Sequence, residues 1–204
     1  MGGTYSVNRK GFYLILINCF AYCFLTGGVM KKILAVALVF LAAWTTSVFA
    51  HGPTRQKVTE SIEIDASPAV VWGIIKDFDK ADWMPQVASS TGTGGNEKGA
   101  TRELRLKSGG VIKEELKAYD AEKMSYQSKI TETDPKELPV ANYSAHITVS
   151  PAGSGSRVEW NGAFYRYFMN NNPPPDQNDE AAVKAVTRFY QEALANLKAL
   201  AEKK

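Results

Sequence analysis

The residues from about position 51 onward predict an α+β fold, a curved antiparallel sheet wrapped around one long C-terminal helix. Three observations carry that expectation. The chain closes on one long amphipathic stretch of helical period, from Asn178 to about Glu202. Before it runs a series of short segments that alternate apolar and polar residues between turns rich in Gly, Pro and Asp. The only other helical signals sit together, directly after the first strand, which segregates helices from strands as the α+β class does.

The elements follow in order. Lys57–Ile64 alternates and reads as a strand. Ser67-Pro68 is a helix start, with Ser67 at the N-cap and Pro68 in the first helical position. Val71, Trp72, Ile75 and Phe78 then recur at helical spacing, and Asp77–Pro85 suggests a second short helix or turn. Gly92–Gly99 is a glycine-rich loop. Thr101–Lys107 is a strand with Leu104 and Leu106 on one face. Val111–Tyr119 groups Ile112, Glu114, Leu116 and Ala118, and Met124–Thr131 groups Tyr126, Ser128 and Ile130. Val140–Val149 and the aromatic Arg157–Phe168 complete the strands, with Gly162 marking a bulge. Asn170–Pro175 (NNNPPP) is a stiff connector into the last helix.

The formal charge of +3 is unevenly spread. The first 50 residues hold Arg9, Lys10, Lys31 and Lys32 and no acid, so the remainder is nearly neutral. It has no basic run, which excludes a nucleic-acid footprint. Lys31-Lys32, the apolar stretch Ile33–Trp44 and Val48-Phe49-Ala50 form a secretory signal peptide over residues 30–50. Its apolar run is too short to span a bilayer, so no membrane span is expected in the mature form. Residues 1–29 are read as a doubtful extension arising from start-codon choice, and residues 51–204 as a single domain. Cys19 and Cys23 both fall in the extension, so the mature chain carries no disulfide and no thiol chemistry. Twin lysines and cleavage after Ala50 suit export to a bacterial periplasm.

Chemistry-bearing motifs are few. A phosphate loop starting at Gly92 would need Gly where Glu97 stands and Ser or Thr where Gly99 stands, and a helix should follow. A hairpin connection is the better reading. His51 and His146 are the only histidines, which gives no basis for a metal site, and no cofactor motif is present. Glu114 is the one chemically interesting side chain, because its strand parity puts it among apolar residues. An arginine, a tyrosine or water satisfies it in the plainer reading; a cavity role is the sharper one. Glu114, Leu116, Tyr126, Tyr143, Trp160, Val186 and Tyr190 are the candidate cavity residues.

Ser67-Pro68-Ala69-Val70-Val71-Trp72, Asp77-Phe78 and Trp83-Met84-Pro85 resemble the first helical region of the SRPBCC superfamily, the START-like and Bet v 1-like helix-grip proteins. Glu114-Glu115-Leu116, Leu138-Pro139-Val140 and Val158-Glu159-Trp160 continue the resemblance. His51–Lys57, Gly162–Arg166 and Asn170–Pro175 look like the periplasmic MxaD-type proteins. That resemblance implies a non-catalytic accessory role in methanol oxidation, with a quinoprotein methanol dehydrogenase and a c-type cytochrome as partners. The superfamily also implies two other roles: carrier of a small apolar ligand and, less favoured, a cyclase-type enzyme using Glu114. By the same resemblance, Ser108, Gly109 and Gly110 form a gate loop. Tyr165, Tyr167, Asn171 and Pro174 are the expected partner contacts.

Overall fold

A computed structural model describes residues 52–203. The leader at 30–50, the extension at 1–29, both cysteines and His51 lie outside the described residues. The order is β1 (Gln56–Ile64), α1 (Pro68–Ile75), β2 (Val87–Thr93), β3 (Thr101–Leu106), β4 (Val111–Asp120), β5 (Ser125–Thr133), β6 (Val140–Ala152), β7 (Gly155–Arg166) and α2 (Asp179–Ala201). The strands make one antiparallel seven-stranded sheet in the order β1-β7-β6-β5-β4-β3-β2. Every neighbour is the next strand in sequence except at β1–β7, where the first strand closes on the last.

Alternation in sequence becomes alternation in burial. Arg102, Leu104 and Leu106 point inward on β3, and Ile112, Glu114 and Leu116 do so on β4. The inner face meets α2 through Ala182, Val186, Tyr190, Ala193, Leu194 and Leu197, a stripe at three- and four-residue spacing. Asn178 caps α2 by accepting from the Ala181 N–H at 2.7 Å, and Asp179 and Glu180 complement the positive end of the helix. None of the described helices is long and apolar enough to cross a membrane.

Three expectations change in detail. The second short helix is absent: residues 77–86 form successive turns that bury Phe78, Ala81, Trp83 and Met84 without helical hydrogen bonding. Ser67 sits at the N-cap of α1, but its side chain makes no capping bond. The polar strand β2 runs through Gly92 and Thr93, two residues into the expected glycine-rich loop. It lies at the sheet edge, where few apolar side chains are needed, which hides it from a periodicity reading. The glycine-rich loop is the β2–β3 connection, and its Asn96 Oδ1 accepts from the Phe78 N–H at 2.9 Å.

Gly162 marks no bulge. It pairs in register with both Val58 and Ala145. A Cβ at this position would overlap Tyr190 Oη, so glycine is needed for the close approach of that hydroxyl. Gly162→Ala should therefore cost about 1–3 kcal/mol through overpacking. Chemical denaturation would read that loss, and adding Tyr190→Phe should recover part of it. The bulge of this hairpin lies instead on β6, between Ala141 and Ser144, where Asn142 takes a left-handed φ of 49°. It turns Tyr143 into the core against Tyr190.

Candidate functional site

Between the sheet and α2 lies a cavity of about 20 Å³, bordered by Arg102, Glu114, Tyr143, Trp160, Val186 and Tyr190 together with Met84, Ile130, Leu138 and Phe189. That is room for about one water molecule. Five of the seven candidate residues therefore converge on one point. Leu116 and Tyr126 are buried nearby but do not border the space.

Glu114 is the one buried carboxylate among the described residues. Its partner is Arg102, directly opposite on the neighbouring strand. The guanidinium gives Glu114 Oε2 two contacts, from Nε at 2.7 Å and Nη2 at 2.6 Å. Ser128 Oγ donates to the other carboxylate oxygen at 3.1 Å. Arg102 Nη1 donates to the Phe78 carbonyl at 2.8 Å, and the guanidinium lies 4.4 Å from the centre of the Phe78 ring. Burial pulls the guanidinium pKa down, but the charge and hydrogen bonds of Glu114 outweigh it, and Arg102 stays above its ordinary value. The pair has most of its polar atoms engaged, which is what an ion pair needs to survive inside a core.

Sequence reasoning passed over Arg102, although the signal was there. The parity that placed Leu104 and Leu106 inward also places Arg102 inward, two residues earlier. An inward arginine next to a strand with an inward glutamate is a cross-strand pair waiting to be matched.

The remaining interior is aromatic. Trp160 and Tyr190 stack with centroids 4.1 Å apart, and Trp160 also meets Trp83 at 5.4 Å. Tyr143 Oη and Tyr190 Oη share a short hydrogen bond. Tyr126 Oη and Trp83 Nε1 are buried without partners.

Burial raises the pKa of Tyr143, Tyr190 and Tyr126, with the Glu114 charge adding to each. Folded values above the unfolded value near ~10 mean that the stabilisation is intact below pH ~10 and is lost as pH rises further. An alkaline titration followed by phenolate absorbance should show these tyrosines ionising only as the fold is lost. Their ionisation near pH 10 in the folded protein would contradict the packing.

The Ser108–Gly110 turn closes the β3–β4 hairpin and does not border the cavity. Ser108 and Gly109 are exposed, whereas Gly110 is buried and would clash with the Glu137 side chain if it carried a Cβ. Tyr165 is half-buried, and Tyr167, Asn171 and Pro174 are exposed at the far end of β7 and the connector after it. Between them sits buried Arg166, which donates to Asp179 at 2.9 Å and to the carbonyls of Phe168 at 2.8 Å and Asn170 at 3.2 Å. One guanidinium thus ties the strand end, the NNNPPP connector and the start of α2 together.

Residues 55–202 match the family model described as polyketide cyclase / dehydrase and lipid transport. A search of curated proteins returned no significant match. Among solved structures, the protein XoxI from Bacillus cereus is 30% identical, with a TM-score of 0.59 over 71% of this chain and 94% of its own. The structure of Ara h 8.0201 is 15% identical with a TM-score of 0.56, covering 72% of this chain and 98% of its own. Norcoclaurine synthase from Thalictrum flavum, solved with dopamine and hydroxybenzaldehyde, is 17% identical with a TM-score of 0.54, over 75% of this chain and 91% of its own. These last two share the curved sheet and long C-terminal helix of the Bet v 1-like helix-grip fold. The chain belongs to the polyketide cyclase / dehydrase and lipid transport family of the SRPBCC superfamily.

Proposed function

We propose that the domain is a non-catalytic periplasmic accessory protein that assists a quinoprotein methanol dehydrogenase and its c-type cytochrome, working through its surface rather than its interior. One observation carries the reading. Glu114, the only buried carboxylate among the described residues, is held by Arg102 and Ser128 beside a space of about 20 Å³. A group so engaged is a poor general acid or base, and the space is far below the ~300 Å³ or more of a usual ligand pocket. The MxaD-like segments support these partners, and the leader-like residues 30–50 support export.

The test is cytochrome c reduction by methanol dehydrogenase, measured with and without the purified protein. A saturable rise in rate that Tyr167→Ala weakens is expected; no change in rate at any concentration would remove the reading. The carrier reading keeps one observation in its favour, the buried and unpartnered Tyr126 Oη and Trp83 Nε1. It requires the aromatic core to open, and a co-purified apolar molecule would establish it.

A further inference from the structure

The face of the sheet turned away from α2 carries a second concavity, open to solvent and about 370 Å³ in volume. Its lining runs across five strands, with Lys57 and Thr59 on β1, Asn161 and Ala163 on β7, Ser144 and His146 on β6, Gln127 on β5 and Lys117 on β4. The strand register explains how a trough forms here. Thr59 stands opposite Asn161, Asn161 opposite His146, and His146 opposite Gln127, which gives one continuous cross-strand row of hydrogen-bonding side chains. The row ends at the β4 bulge between Leu116 and Ala118, which projects Lys117. Lys57, Ala163 and Ser144 form the adjacent row, whose middle is low because its side chains are small.

Charge is concentrated at the ends. Lys57 is exposed and forms no ion pair among the described residues, and exposed Arg55 reaches only Ser144 Oγ, at 3.5 Å. At the other end Lys117 and Lys129 share the single carboxylate of Glu115, at 2.8 and 2.9 Å, leaving one positive charge uncompensated. Glu159 is the nearby acid on β7, and it accepts from Asn161 at 2.7 Å.

β1 and β4 are four strand spacings apart, roughly 19 Å at ~4.8 Å each. An extended main chain laid across a solvent-open trough of this length meets the side chains of each strand in turn. At ~3.4 Å per residue, about six residues fill the span.

We propose that this trough binds an extended, acidic segment of a partner protein. Its terminal carboxylates meet Lys57 and Lys117, and its main-chain carbonyls meet the donors of Gln127, His146 and Asn161. The inference rests on the reading that the domain works through its surface, and it adds a second contact patch to the one at Tyr167.

A fluorescein-labelled hexapeptide with glutamate at each end and serine and glycine between tests the proposal on the purified protein. Saturable binding is expected, lost with added salt and weakened up to about fivefold by Lys57→Gln and by Lys117→Gln, each removing one exposed charge contact. Lys98→Gln, an exposed lysine on the β2–β3 loop, should leave binding unchanged. Amide signals of Gln127, His146 and Asn161 should shift on titration. Absence of saturable binding, identical binding by both trough variants, or equal competition by free glutamate would overturn the proposal. Peptide binding without any effect of the protein on cytochrome reduction would leave the trough standing and remove the accessory role. Accelerated reduction that neither lysine variant alters would do the reverse.

Discussion

Glu114→Leu is expected to destabilise the domain by about 3–5 kcal/mol, because it strands the Arg102 guanidinium inside the core. Arg102 is 3% exposed, so no solvent reaches in to replace the lost carboxylate. The converse variant, Arg102→Met, should cost less. A lone buried carboxylate can take up a proton and become neutral, whereas a guanidinium cannot shed one. In Arg102→Met the folded pKa of Glu114 would be raised above its unfolded value. The penalty should therefore shrink as pH falls from 7 toward ~4, where both states are protonated. The double variant Arg102→Met/Glu114→Leu should come back close to the parent, as paired replacements of buried ions often do. Urea melts of the four proteins at pH 7 and pH 5 give the full comparison. Additive losses in the double variant would contradict the pairing.

Trp160→Ala carries the second large effect, a loss of about 3–5 kcal/mol. Trp160 packs between Trp83, Phe189 and Tyr190, so its removal deletes three aromatic contacts at once. It also enlarges the existing cavity toward the ~150 Å³ that holds a benzene-sized guest in other cores. The variant should gain saturable binding of small apolar aromatics, with a rise in melting temperature on adding them. The parent should show neither. Equal binding by parent and variant would mean that the native core already opens.

Much of this arrangement was legible in advance. The α+β class, the long final helix and the facing of Glu114, Tyr143, Trp160, Val186 and Tyr190 all follow from periods of two and 3.6, since burial is repeated along every element. What periodicity does not carry was missed. The edge strand β2 has almost no apolar face, so nothing marks it as a strand. The turns at 77–86 bury Trp83 and Met84 by tertiary packing, which a helical count misreads. Gly162 looks the same in sequence whether it makes a bulge or admits a neighbouring hydroxyl. Arg102 is the instructive omission. Its parity with Leu104 and Leu106 places it inside, against the usual preference of an arginine for the surface.

The outer trough was invisible for a different reason. It depends on which strands become neighbours, and Thr59 and Gln127 are brought into one row only by the closing of β1 on β7 and the register that follows. No local pattern encodes that row.

A domain with a closed interior that acts from its surface carries no guest. Native mass spectrometry of the protein purified from its own cells should therefore return the mass of the polypeptide alone. A stoichiometric small apolar molecule that stays bound until the protein unfolds would contradict it.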